Sequence, residues 1–552
     1  MKNSKYSLLL VLTLAISVFL AACGGKDNGS EDGSNPKQEI TILNKSEIPT
    51  MDSAKVTDQY GIIYLSNVNE GLYTLDKEGN AVPGLVDGEP EVNDDQTVYT
   101  FKLKETKWSN GEPVTANDFV FAWQRAMDPD TASEYGPYMM NGKIKGAQEI
   151  TDAAAAKKEY DLNSLGVKAI DDKTLEVTFE KPLKFWKDFL AFPTFLPQNE
   201  KFVKEKGSKY ATSADNLLYN GPFVMTKWDG PTAQNWELAK NPDYREADQV
   251  KLEKISVNVV KDDQGQVNAF ESGEADITDV LASDLVPQYE GDDRMLSQLD
   301  ASVYWLKMNQ KTDALANVHI REAIAKGFNK EDLVASILNN GSVAANYFVP
   351  KDFVEYDGKD FRDKYPDLVT FNEKEAKAAW EKGLKELGVK ELTLRYLGGD
   401  TESSKKMDEY LKNQLEKNLP GLTVKLESVP FSVRLDRTTK GNYDLVAAGW
   451  GPDYKDAISF TDLWLTGSPN NEMSYSNKKY DDLIKKATTE YTDNDAKYAE
   501  TMQEAEKLFL TEDFGVAPIY QRANNILVNT NVKGLVSSSV GADYLYRWVT
   551  VE

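Results

Sequence analysis

WSNGEPVTANDFVFAWQRAMDP, residues Trp108–Pro129, holds the clearest local signal in this chain. Its second half, Thr115–Met127, predicts a helix. Thr115 suits an N-cap, because its hydroxyl can accept from the exposed N–H groups of the first turn, and Asp118 stands at the third position beyond it. Phe119, Trp123 and Met127 recur at helical spacing and make one apolar face. Just upstream, VYTFKLK (Val98–Lys104) alternates apolar and polar residues, the pattern of a half-buried strand.

The same alternation of strand-like and helix-like segments extends in both directions. Gln38–Leu43 (QEITIL), Thr174–Phe179 (TLEVTF) and Ser256–Val260 (SVNVV) read as strands, as do Leu392–Leu397, Leu422–Val429 and Tyr443–Ala448. Lys374–Leu387 and Lys405–Leu419 read as helices, the second stopped by Pro420-Gly421. No internal repeat is visible. The expectation is mixed α/β with at least two lobes and long excursions between related segments.

Composition narrows the function. Among 552 residues there is one cysteine and one histidine, so zinc sites of the Cys/His kind and nucleophilic centres built on histidine are excluded, and no metal site or cofactor is expected. His319 lies in NVHIREAIAKGF, which looks like a helix start, and is expected to be structural. A net charge of −25 gives a surface that repels nucleic acid and anionic lipid. With no disulfide available, the body must be held by burial alone, which its length and 41% hydrophobic content allow. No phosphate-cradling glycine motif occurs. Carboxylate chemistry survives: a glycosidase needs only two acids, and there are 89. The 27 tyrosines and 10 tryptophans would line a sugar cleft as readily as a peptide cleft, or simply fill a core.

The N-terminus carries an address. Lys2 and Lys5 precede an apolar run, Leu8–Leu20, and Ala21-Ala22 stand before Cys23. That is a signal peptide over 1–22 with a lipobox, making Cys23 the lipidated first residue of the mature protein. An ordinary signal peptide or a single membrane anchor is the alternative, but the run is short for a span. Residues 23–37, rich in Gly, Ser, Asp and Asn, read as a flexible tether with a reach of roughly 20 Å.

Further stretches carry a resemblance. NEGL (Asn69–Leu72) is followed by the Trp108–Pro129 segment, YNGPF (Tyr219–Phe223), NPDY (Asn241–Tyr244), ESGEADI (Glu271–Ile277) and AAGWGPDYKDAISFTDLW (Ala447–Trp464). In this order they resemble the oligopeptide-binding lipoproteins of bacterial ABC importers, across nearly all of the mature chain. The resemblance implies an α/β, two-lobed periplasmic-binding-protein-like fold of type II, closing about a hinge, with an additional inserted domain. It divides the chain into lobe I (38–70, 195–305 and 522–552), the inserted domain (71–194) and lobe II (306–521).

It also implies a site. Asp453 in GWGPDY would pair with a peptide's α-ammonium group; as a residue after Pro452 it also reads as a turn position. Gly449 and Gly451 would let peptide backbone approach, with Trp450 as a wall. Thr57, Asp58 and Gln59 would supply the opposing backbone, and Tyr135, Phe431 and Tyr520 aromatic pocket walls, each of which also suits a core. Some relatives carry an arginine for the peptide carboxylate where this chain has Ala447 or Ala448, with Arg434, Arg437 and Lys440 upstream. A cleft tolerant of longer or variable peptides is therefore expected. The implied protein is no enzyme. It is a monomer on the extracellular face of a Gram-positive cell membrane, handing oligopeptides to the permease and ATPase subunits of an ABC transporter. An oligosaccharide receptor or surface glycosidase is the alternative.

Overall fold

The Trp108–Pro129 signal is realised as a helix over Ala116–Met127, in a computed structural model that describes residues 36–552 except 430 and 469. The expected signal peptide, Cys23 and nearly all of the tether lie outside the described residues. Thr115 and Asp118 form a reciprocal capping box. Burial pushes the Asp118 carboxyl up to about 6, and it also accepts from Trp108 Nε1 at 3.3 Å. Phe119, Trp123 and Met127 are all buried. Burying a Phe or Met side chain of this kind contributes about 1.5–3 kcal/mol. The Trp123 indole N–H donates to Phe195 O at 3.1 Å, which ties the helix to the segment that follows.

Three larger sheets organise the compact unit Gln38–Val551. In the first, Glu39–Asn44 runs parallel to Lys254–Val259, which continues antiparallel to Asn235–Lys240 and then Phe223–Lys227. Trp236 from this sheet meets Tyr64 edge to face at 5.2 Å. The second sheet is antiparallel, in the order Glu91–Val92, Val98–Lys102, Thr174–Thr178, Val167–Asp171, and the Ala116–Met127 helix packs against it. The third has six strands: Val343–Ala344, Val516–Leu527, Met295–Met308, Leu445–Trp450, Leu392–Gly399 and Leu422–Val429.

Two strands of the third sheet are long, and sequence periodicity does not find them. Met295–Met308 has 14 residues and Val516–Leu527 has 12. They pair antiparallel, with register shifts between Leu299 and Val303 and between Tyr304 and Trp305. Beyond their far end, Val528 bridges Ile277, which bridges Ile42 of the first sheet. The ladder therefore spans from one sheet to the other.

The strand expected over Tyr443–Ala448 is displaced to Leu445–Trp450. At its start, Asp444 is held by Arg395 from the neighbouring strand. At its end, Gly449 does not stop the strand, because it faces Tyr304 across the ladder. A Cβ at 449 would lie 2.6 Å from the Tyr304 ring, so glycine here makes room for a tyrosine of the protein itself. His319 sits in the first turn of the helix Val318–Lys326, capped by Asn317, with Glu322 and Glu386 each 3.6 Å away.

Candidate functional site

The long ladder and the end of the Leu445–Trp450 strand border a cleft of about 600 Å³. Asp300, Ser302 and Tyr304 reach it from one long strand, Tyr520 and Arg522 from the other. Gly449, Trp450, Gly451 and Asp453 line it from the strand end and the loop beyond. Thr57, Gln59, Tyr135 and Phe192 contribute from earlier in the chain, and Gly541 and Asp543 from its last segment.

Eight residues singled out from sequence therefore share one cavity: Thr57, Gln59, Tyr135, Gly449, Trp450, Gly451, Asp453 and Tyr520. Asp58 does not line it. Its carboxylate caps the helix Gln59–Val68 by accepting from Gly61 N at 2.9 Å, and residues 57–58 form the lead-in to that helix rather than a strand edge. Phe431 opens the helix Phe431–Thr439; its side chain lies outside what is described.

The backbone of the cleft has an open edge. The Leu445–Trp450 strand pairs with Leu392–Gly399 only at Leu445 and Val446. Ala447 O is taken by Arg434 Nη1 at 2.6 Å. Among the described residues, the strand from Ala448 to Trp450 keeps a strand neighbour only on the Met295–Met308 side. The other upstream cations do not line the cleft: Arg437 pairs with Glu427, and Lys440 with Asp436 at 2.7 Å.

Asp453 stands just past this edge. Its carboxylate accepts from the Tyr138 hydroxyl at 2.7 Å, and no Lys or Arg among the described residues makes an ion pair with it. Burial pushes its carboxyl up to about 6, against the pull of the Tyr138 bond and of Lys143 farther off. A half-buried carboxylate without a cation is under-compensated, and a ligand cation placed there relieves the cost. Tyr138 is edge to face with Trp450 at 6.4 Å and with Tyr135 at 5.4 Å, and Tyr135 stacks on Phe192 at 5.4 Å. This aromatic chain buttresses the Asp453 end.

Sequence reading missed Tyr138, Asp300, Arg522 and Asp543. Arg522 Nε donates to Asp300 Oδ2 at 3.0 Å. Asp543 lies close to both, and burial first, then the Asp300 charge, pushes its carboxyl up to about 7. The only local hint for Tyr138 is its place one helical turn after Tyr135.

Similarity to known proteins fits this geometry. Residues 80–472 match the family described as bacterial extracellular solute-binding proteins, family 5 middle. The dipeptide-binding protein of Lactococcus lactis subsp. cremoris is 33% identical over 559 residues, covering 99% of this chain and 98% of that one. The structure of Listeria monocytogenes OppA bound to peptide superposes with a TM-score of 0.78 at 42% identity, over 94% of this chain and 99% of its own. The pheromone receptor PrgZ, solved for its mode of peptide binding, gives 0.78 at 36% identity, over 94% and 100%. The two-lobed, type II α/β expectation holds. The chain belongs to the bacterial extracellular solute-binding proteins of family 5, which are binding proteins rather than enzymes.

Proposed function

We propose that this chain captures extended oligopeptides between its lobes and delivers them to the permease and ATPase subunits of an ABC importer. The observation that carries this reading is Asp453, a carboxylate without an ion-pair cation at the end of an unpaired strand edge. A peptide laid along Ala448–Trp450 satisfies its backbone by adding a strand, a mode that reads no side chains. Its α-ammonium group meets Asp453 as a charge-assisted pair, contributing about 1.5–3 kcal/mol and fixing the register. Thr57 and Gln59 face the peptide from the opposite wall, while Tyr135, Trp450 and Tyr520 shape pockets in which bridging waters let one site take many side chains. The relatives, a dipeptide-binding protein, a peptide-bound OppA and a pheromone receptor, support the ligand class.

Closure follows a hinge. Lobe I is 38–70, 195–305 and 522–552, lobe II is 306–521, and the inserted domain is 71–194. Both crossings between the lobes then fall inside the long strands Met295–Met308 and Val516–Leu527, near the register shift at Tyr304. A lipid on Cys23 and the tether over 23–37 hold the body at the outer face of the membrane, within reach of the permease.

Calorimetric titration of residues 38–552, refolded to strip co-purified peptide, tests the reading. Pentapeptides with free amines bind, and the same set N-acetylated binds at least tenfold more weakly. Equal binding of both sets removes Asp453 from its role. No binding of either, with binding of oligosaccharides instead, replaces the peptide receptor by a sugar receptor.

A further inference from the structure

The ionisable lining of the cleft is lopsided. Among its described lining residues are three aspartates, Asp300, Asp453 and Asp543, against one arginine, Arg522, and no lysine. Arg522 is already engaged by Asp300 through its Nε and a second guanidinium nitrogen. Once Asp453 is assigned to a peptide's α-ammonium group, one carboxylate remains without an ion-pair cation among the described residues, that of Asp543.

Asp543 is fixed in place. The Gln59 amide donates to Gly541 O at 2.7 Å, which pins the loop just before it, and Gln59 lies near the Asp543 carboxylate. Asp543 lies within electrostatic reach of both Asp300 and Arg522. A second feature of the same cavity also suits a cation. Tyr304 and Tyr520 stack face to face at 4.6 Å, with an interplanar angle of 5°, and both line the cleft. Tyr520 and Arg522 are two apart on one strand, so the stacked pair and the Asp300–Arg522 pair share a face. Aromatic walls accept the methylene stem of a long cationic side chain and attract its charged head, while a carboxylate receives that head.

We propose that Asp543, with the Tyr304–Tyr520 stack in the same cleft, forms a subsite for a lysine or arginine side chain of the bound peptide, so that the cleft selects basic over acidic peptides. This rests on the peptide-binding reading. The physical cause is the same as at Asp453: a carboxylate whose surroundings penalise its charge gains from a ligand cation. Burial and Asp300 hold the Asp543 carboxyl at about 7, so the empty subsite is about half protonated near neutral pH, and an incoming cation favours the ionised form. An acidic side chain at the same place would meet Asp300 and Asp543 with only a shared guanidinium in return.

The test is a scan of one alanine pentapeptide with a free amine, carrying lysine, norleucine or glutamate in turn at positions two to five, titrated into the full chain. At one position at least, lysine binds tenfold or more tighter than norleucine, and glutamate binds weaker than both. In Asp543→Asn that lysine advantage over norleucine disappears, while the loss on N-acetylation persists, showing that the Asp453 end is intact. Equal lysine and norleucine affinities at every position, or a lysine advantage that survives in Asp543→Asn, overturn the subsite while leaving the peptide reading standing. Failure of the whole free-amine set to bind overturns the peptide reading, and the subsite with it.

Discussion

Two carboxylates of this protein, Glu506 in the interior and Asp453 at the cleft, are treated in opposite ways. Glu506 is fully buried and fully partnered. Its Oε1 accepts from the backbone N–H groups of Phe348 and Val349, both at 2.9 Å, and its Oε2 pairs with Arg362, itself buried over the Tyr347 ring. Asp453 accepts one side-chain hydrogen bond, from Tyr138, and has no ion pair among the described residues. The first arrangement closes a charge inside the scaffold. The second leaves a charge incomplete where a ligand can complete it. Partner saturation, together with the fuller burial of Glu506, distinguishes the structural acid from the receiving one.

The largest expected effect is on the saturated side. Glu506→Gln removes the charge that Arg362 answers, and breaking a buried pair in this way costs about 3–5 kcal/mol of stability. Urea unfolding measures it. Peptide affinity of the folded variant stays at the wild-type value, and a stability loss under about 1 kcal/mol would refute the contrast. Asp453→Asn behaves in the reverse sense. Unfolding midpoint is kept or raised, while affinity for a free-amine pentapeptide falls roughly 10- to 150-fold, the equivalent of about 1.5–3 kcal/mol.

Acid gives a third, smaller effect. Below about 6 the unliganded Asp453 carries a proton that must leave before an ammonium group can pair with it, so affinity declines toward tenfold per pH unit. A pentapeptide with neutral side chains keeps Asp543 out of that measurement, and a flat affinity between pH 7 and 5 would contradict the assignment. Stability has the opposite sign. The folded value lies above the ordinary 3.8, so this group's contribution to unliganded stability is present below 3.8 and is lost as pH rises through about 6. In Asp453→Asn that slope is absent.

The last effect, small at pH 7, concerns a buried cation that lies between the two cases. Lys330 is fully buried and donates to Val369 O at 2.6 Å and Asn346 Oδ1 at 3.1 Å, neutral acceptors both. Burial lowers its ammonium group to about 7. Between about 7 and the ordinary 10.5 the unfolded chain holds a proton that the folded chain has shed, so stability from this group rises with pH across that window. Lys330→Met removes the rise and changes stability at pH 7 by about 1 kcal/mol or less, because the lost charge penalty is offset by two acceptors left unpartnered. Unfolding curves at pH 7 and 9.5 read the difference.

Local chemistry was legible in the sequence. The Thr115–Asp118 capping box and the face of Phe119, Trp123 and Met127 need only neighbours within a few turns, and the Ala116–Met127 helix follows from them. Asp453 was legible because GWGPDY is contiguous. The long strand Met295–Met308 was not, since only its middle, Asp300–Trp305, alternates polar and apolar residues, while Met295–Leu299 and Trp305–Met308 do not. Asp58 was expected to offer backbone to the peptide, yet it leads into a helix whose N-terminus its own carboxylate caps. Tyr138 meets Asp453 across 315 residues, and Arg522 meets Asp300 across 222, so no local pattern announces either pair.

The ladder between Met295–Met308 and Val516–Leu527 also sets a timetable. Its first strand is made long before its second, and the wall formed by Tyr520, Arg522 and Asp543 arrives only with the last segment of the chain. A polypeptide made N-terminus first can bury much of its early helices and hairpins on its own, but its cleft stays incomplete until Val516–Leu527 and the segment after it are in place. A product ended before Val516 would lack this partner and leave that flank of Met295–Met308 unpaired.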